Sequence, residues 1–233
     1  MKRFFIFITL VASTLMASAV DLKSEGRDTA YVSTILKRSQ KAVDALNLKD
    51  KNVAQDVLNI IANRYFELND IYELRDRKLK AIKADTTMTA AQRADGKRFA
   101  EYEVSNALYR THFAFPAALS VYLNDDQIET VKDAITFNVV KVTYKATLDM
   151  IPSLKDEEKT QILVWLKEAR ELAIDAESSK KKHEVFGKYK GRINNYLTAR
   201  GYDLKKERAE WYKRLEARKA KEAKGKEAKG KKK

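Results

Sequence analysis

The residues that most often carry out chemistry are scarce in this chain. Its two histidines are His112 and His183, and cysteine is absent. That inventory leaves no thiol nucleophile, no disulfide framework and no Cys-ligated zinc. No His-Glu-x-x-His pair exists to grip a metal from one helical face. Asn124-Asp125-Asp126 is too short for an EF-hand loop, whose ligands are spread over about twelve residues around a central glycine. Neither a Gly-x-x-x-x-Gly-Lys loop, a Gly-x-Gly-x-x-Gly turn nor a Gly-x-Ser-x-Gly elbow occurs. Gly187 and Gly191 flank Lys-Tyr-Lys, but no strand precedes them to build a phosphate cradle. The residues therefore imply no Cys- or His-held metal and no cofactor, and leave only an oxygen-ligated calcium site open.

Carboxylates and aromatics remain. Glu67, Asp70 and Glu73 recur at a spacing that places them on one helical face, as do Glu168, Glu171 and Asp175. Glycoside hydrolysis needs two carboxyl groups about 5–9 Å apart across a cleft, and Asp70 and Glu168 are the candidates for such acid/base work. The competing reading pairs these acids with Arg64, Arg75, Arg77 and Arg170 in ordinary ion pairs. The chain holds 11 Tyr, 9 Phe and 2 Trp. Rings of this kind stack on the C–H faces of sugars, while Asn, Arg and carboxylates take the hydroxyls. The stretch from Phe186 to Tyr196 carries that mixture. Its candidate ligand contacts are Tyr189 and Tyr196 for stacking, with Arg192, Asn194 and Asn195 for hydroxyls. The alternative is that Phe186, Tyr189, Ile193 and Tyr196 pack into a core.

Helices must position these groups. From Asp28 the apolar residues Val32, Ile35, Leu36, Val43 and Leu46 recur at helical spacing, with Asp28 as the cap. Asp50 caps a longer stripe through Val57, Ile61, Tyr65, Leu68, Tyr72, Leu79 and Ile82. A third stretch runs from about Thr89 to Phe115, where Pro116 kinks it or starts a new helix. Asn124 and Gln127 form a capping box before Ile128, Val131 and Ile135. Lys155 and Glu158 repeat the spacing before Ile162, Leu163 and Leu166. Val139–Tyr144 is β-branched, but with no second strand to pair it reads as helix or irregular structure. Ser178 or Ser179 caps the helix that holds the aromatic stretch. Gly201 stops that helix, and a last one begins near Asp203 with Trp211 and Leu215. The expected architecture is all-α, a single bundle of about seven helices over residues 28–217.

The net charge of +14 suggests a polyanion partner until it is placed along the chain. Lys2 and Arg3, the apolar run Phe4–Val11 and the small residues Ala17-Ser18-Ala19 read as a secretory signal over residues 1–19, followed by a leader at 20–27. No Cys follows to make a lipoprotein, and no other stretch is apolar enough to cross a membrane. The expected location is periplasmic or secreted, and nucleic acid is not an expected partner. From Lys205 to Lys233 lie 14 basic and 5 acidic residues, so the region from 20 to 204 carries only +3. Residues 218–233, with the repeat Lys-Glu-Ala-Lys-Gly, cannot bury a core and read as a disordered basic tail. Its Arg218, Lys219, Lys221, Lys224, Lys226, Lys229, Lys231, Lys232 and Lys233 are candidates to hold an anionic polysaccharide or lipopolysaccharide.

Three segments carry a resemblance. They are Arg64–Asp76, then Val142-Thr143-Tyr144 with Trp165–Arg170 downstream, and Phe186–Tyr196 continuing into Gly201-Tyr202-Asp203-Leu204. Together they resemble a family of secreted bacterial proteins known as domain of unknown function 3826, over about residues 28–212. The resemblance implies a signal-bearing protein of polysaccharide-degrading bacteria with a sugar-binding role. It implies no reaction and transfers no catalytic residue. Leu123-Asn124-Asp125-Asp126-Gln127 is also similar to the Leu-Thr-x-x-Gln mark of periplasmic helical chaperones, departing at the Thr. The expected function is a carbohydrate-binding or accessory protein in polysaccharide utilisation. A chaperone-like protein and a carbohydrate-active enzyme are the alternatives.

Overall fold

The structure, a computed structural model, describes residues 19–230, with side chains through Lys221. The signal reading of residues 1–19 therefore lies, but for Ala19, outside the described residues, as do Lys231, Lys232 and Lys233. Among the described residues there are nine helices and no strand. They are α1 (Thr29–Asp44), α2 (Lys51–Ala84), α3 (Ala90–His112), α4 (Ala114–Ser120), α5 (Asp125–Ile135), α6 (Val139–Met150), α7 (Asp156–Ala173), α8 (Ser179–Ala199) and α9 (Leu204–Gly230). The all-α bundle expected from the sequence is what forms.

Local chemistry sets most helix starts. Asp28 accepts from Tyr31 N–H at 2.7 Å and Asp50 from Asn52 N–H at 2.8 Å. Asn124 and Gln127 exchange two 3.0 Å bonds in a full capping box, and Thr89 with Gln92 builds another at α3. Glu158 reaches back to the Lys155 N–H at 2.9 Å, so a Lys stands where a capping residue is usual. These bonds satisfy backbone donors that have no partner inside the helix. The single stretch expected over Thr89–Phe115 is two helices, parted by a one-residue turn at Phe113. Pro116 then sits in the first turn of α4, where its missing N–H costs nothing. Val139–Tyr144 is helical within α6. The turn before it is tight, with Phe137 and Asn138 both left-handed at φ 61° and 55°.

The two larger of three apolar clusters lie side by side. One gathers α1, the N-terminal half of α2, α4 and α5 around Val57, Ile61, Leu119 and Val131. The other joins α6, α7 and α8 around Ile162, Leu166, Phe186 and Leu197. Polar groups hold the seam. Arg170, only 2% exposed, donates to Asp133 at 2.8 Å and Glu129 at 2.5 Å. Lys182 donates to the Ile135 carbonyl at 3.0 Å. Arg64 of α2 donates to Asp175 at 2.6 Å, and Asp175 also meets His112 Nδ1 at 2.7 Å.

Beyond Leu68 no residue of α2 is buried. This outer half pairs with α3, which packs chiefly on α2 and α4. The buried residues of α3 are Ala100 and Val104, and a Cβ added at Gly96 would meet Ile82 at 3.1 Å. Small residues thus let the two helices approach closely.

At the other end, α9 docks on α6 through Asp149. Trp211 Nε1 donates to it at 2.7 Å, and so does Arg218 at 2.6 Å. Arg218, assigned to the tail from its sequence, is therefore tethered to the bundle. The α9 backbone continues as helix through the repeat to Gly230.

Candidate functional site

Three surface regions bring together groups able to bind a ligand. The first is the face built by α7 and α8. Helical spacing aligns Tyr189, Arg192 and Tyr196 on α8, and Trp165 and Glu168 meet them from α7. The Tyr189 hydroxyl donates to Glu168 at 2.7 Å, and Arg192 lies 3.6 Å from the other oxygen of that carboxylate. The Arg192 guanidinium sits 4.4 Å above the Trp165 ring and 6.0 Å from Tyr189. Trp165 and Tyr196 meet edge to face at 5.1 Å, and Arg200 covers Tyr196 at 5.0 Å. Burial, with the Glu168 bond adding to it, pushes the Tyr189 hydroxyl above its ordinary pKa.

Tyr189 and Tyr196 are half-buried against the second apolar cluster. Asn194 and Asn195 are exposed on α8, with no contact to the rings among those described. The sequence candidates thus separate into a clustered set and two outlying amides. Trp165 is the member that motif reading did not assign to a site.

The second region is an open cleft of ≈ 1020 Å³ between residues 19–27, α2 and the α3–α4 junction. Ile60, Phe66, Ile71 and Phe115 make it apolar, and Lys23, Arg27, Asn63, Arg64, Glu67, Asp70, Arg110 and Thr111 make its polar walls. Asp70 belongs here, but both of its oxygens accept from Arg27, at 2.8 and 2.7 Å. Glu67 accepts from Arg64 at 2.5 Å. Both carboxylates of the cleft are thus engaged by guanidinium partners. Asp70 and Glu168 lie on different faces and do not share a site.

The third region was missed in the sequence. Phe99, Tyr102, Tyr109 and Phe113 lie along the outer face of α3, between 64% and 78% exposed. Asn106 sits exposed within the same row. Tyr102 and Tyr109 are seven residues apart, as are Phe99 with Asn106 and Asn106 with Phe113. That spacing repeats each position along the axis at about 10.5 Å. Arg110 lies between the row and the cleft. α3 is inverted relative to an ordinary amphipathic helix, with small residues inward and large rings outward. The signal was available in the sequence as Gly96, Ala100 and Val104 set against Phe99, Tyr102 and Tyr109. Periodicity alone does not say which of two stripes faces the core.

Among the described residues no group of three or more acidic or histidine side chains is placed to hold a metal, and no helix is long and apolar enough to cross a membrane. The molecule is thus an all-α protein with two aromatic faces and one charged cleft. The chain belongs to the family described as protein of unknown function (DUF3826), whose sequence model matches residues 32–217. No curated protein matches it.

Proposed function

We propose that the protein acts outside the cytoplasm, after loss of residues 1–19, as a carbohydrate-binding or accessory protein in polysaccharide utilisation. An extended glycan stacks along α3. The observation that carries this reading is the row Phe99, Tyr102, Tyr109 and Phe113, whose rings are largely bare to solvent. Exposed aromatic surface gathered in one patch marks an interaction site. Ring faces accept sugar C–H groups, and Asn106 and Arg110 stand beside the rings to bond hydroxyls. The seven-residue repeat is comparable with two sugar units of an extended chain. The α7–α8 face is the rival platform, but Arg192 and Arg200 already cover its rings.

Calorimetry against a panel of neutral and acidic plant polysaccharides tests the reading. Tyr102→Ser/Tyr109→Ser should abolish binding, while Tyr189→Ala/Arg192→Ala should leave it intact. The reverse pattern would move the site to α7 and α8. Failure of the wild type to bind any glycan would reject carbohydrate altogether. Suppression of client aggregation without glycan preference would support the chaperone-like alternative. Product release abolished by Asp70→Asn or Glu168→Gln would support an enzyme.

A further inference from the structure

Residues 20–27, read from the sequence as a short leader, are bound along α2. The Val20 nitrogen donates to Asp56 Oδ1 at 2.9 Å, and the Val20 carbonyl accepts from Asn59 at 2.6 Å. Asn63 clamps the next turn of chain, accepting from Lys23 N–H and donating to the Asp21 carbonyl, both at 2.8 Å. Arg27 closes the segment through its paired bonds to Asp70 and lies 4.7 Å over the Phe66 ring. Positions 56, 59, 63 and 70 follow one side of α2 at spacings of three, four and seven. Asp56 and Asn59 are each 5% exposed. The Val20 side chain packs on the first apolar cluster. A polar ladder inside a helix, in register with one particular segment, is built to hold that segment.

Val20 is also the residue that follows Ala17-Ser18-Ala19, the small-residue signature of signal cleavage. We propose that hydrolysis of the Ala19–Val20 bond creates a structural ion pair between the new Val20 α-ammonium and Asp56. This pair locks the segment against α2 and completes one wall of the cleft. It rests on the reading of residues 1–19 as a cleaved signal. In the step a signal-processing endopeptidase adds one water across the amide. Ala19 leaves with a carboxylate, and the Val20 amine takes a proton. A neutral N–H donor becomes a cation with three donors, and a bond to Asp56 already assisted by the carboxylate's charge gains a second, opposite charge. Ala19, Val20, Asp21, Lys23 and Arg27 all line the cleft. Processing removes the first of these and anchors the rest. The finished site belongs to the processed protein and not to its precursor.

The experiment uses the exported protein. N-terminal sequencing comes first. A terminus other than Val20 shows that the cleavage reading itself fails, and the ion pair falls with it. With Val20 at the terminus, the α-amine is acylated by a limiting reagent at neutral pH, native and then in urea. A carboxylate partner favours the ammonium, so the native amine should react at least about tenfold more slowly, one unit of pKa being tenfold in free amine. Asp56→Asn should remove most of that protection. A second form carries Gly-Ser inserted before Val20, so that cleavage leaves an ordinary amide at that position. It should melt at a lower temperature than the native form, and Asp56→Asn should cost it less. Equal acylation rates in folded and unfolded protein, with equal melting of the two forms, would overturn the ion pair while leaving signal cleavage standing. If Asp56→Asn fails to fold, the wild-type acylation and insertion comparisons decide alone.

Discussion

Lys182 lies 4% exposed at the seam of the two apolar clusters, with its ammonium 5.2 Å from the Tyr65 ring. Burial disfavours its charge and pulls its pKa down to about 8. The negative Asp175 offsets part of this, while Arg38 and Arg64 add to it. In the unfolded chain a lysine titrates near ~10.4. The folded state therefore prefers the neutral amine, and linkage gives the sign. Stability is lowest below about pH 8 and rises as pH increases through the folded pKa toward the unfolded one. Urea unfolding of wild type and Lys182→Met from pH 7 to 10 should show this rise in the wild type and its loss in the variant. Equal slopes would exclude Lys182 as the cause. Glu129 runs the other way. Burial opposes its charge, but bonds from Arg170 and Lys167 outweigh that cost and hold it down at about 2. None of these partners is adjacent in sequence. The sequence shows that Lys182 occupies a helix, and its i−4 and i+4 neighbours, Ser178 and Phe186, say nothing of the Ile135 carbonyl it meets.

At the scale of elements, α3 departs most from expectation. Its helical character follows from the Thr89–Gln92 capping box and a long run free of proline. Its orientation does not. Gly96 and Ala100 admit the close approach of α2, and Lys78 bridges to Glu103 across the hairpin at 2.5 Å. Gly96→Leu should therefore splay the hairpin and destabilise the protein by about 1–3 kcal/mol, the usual penalty of overpacking. A helical glycine replaced without crowding would instead gain up to ~1 kcal/mol. Thermal denaturation decides, since a raised melting temperature would mean that α3 does not pack tightly there. The same reasoning separates the ring pairs. Tyr102 and Tyr109 bury little, whereas Tyr189 and Tyr196 are built into the second cluster.

For the whole molecule, charge is divided between a near-neutral body and a basic end. The side chain of Arg218 is spent on Asp149, which sits between it, Trp211 and Arg214. We expect truncation after Lys221 to leave the melting temperature unchanged, because the sequence beyond that residue has no bulky apolar side chain to bury. Retention on an anionic polysaccharide matrix should fall with the truncation, and salt should weaken retention of the intact chain by screening. Retention unaffected by truncation would reduce the tail to a solubilising end.

Composition, periodicity and capping residues were enough to determine an all-α bundle, most helix starts and the placement of charge. These are local properties, set within one or two turns of chain. They also drew Tyr189, Arg192 and Tyr196 together, because residues three and four apart on a helix share a face. Only the tertiary structure decided that Trp165 enters that cluster and that Arg27 occupies Asp70. It alone turned the aromatic side of α3 outward and laid residues 20–27 along α2. Each of those outcomes depends on contacts between residues tens of positions apart. Such contacts are selected by which apolar and polar faces can be satisfied at once, and no local spacing records that choice.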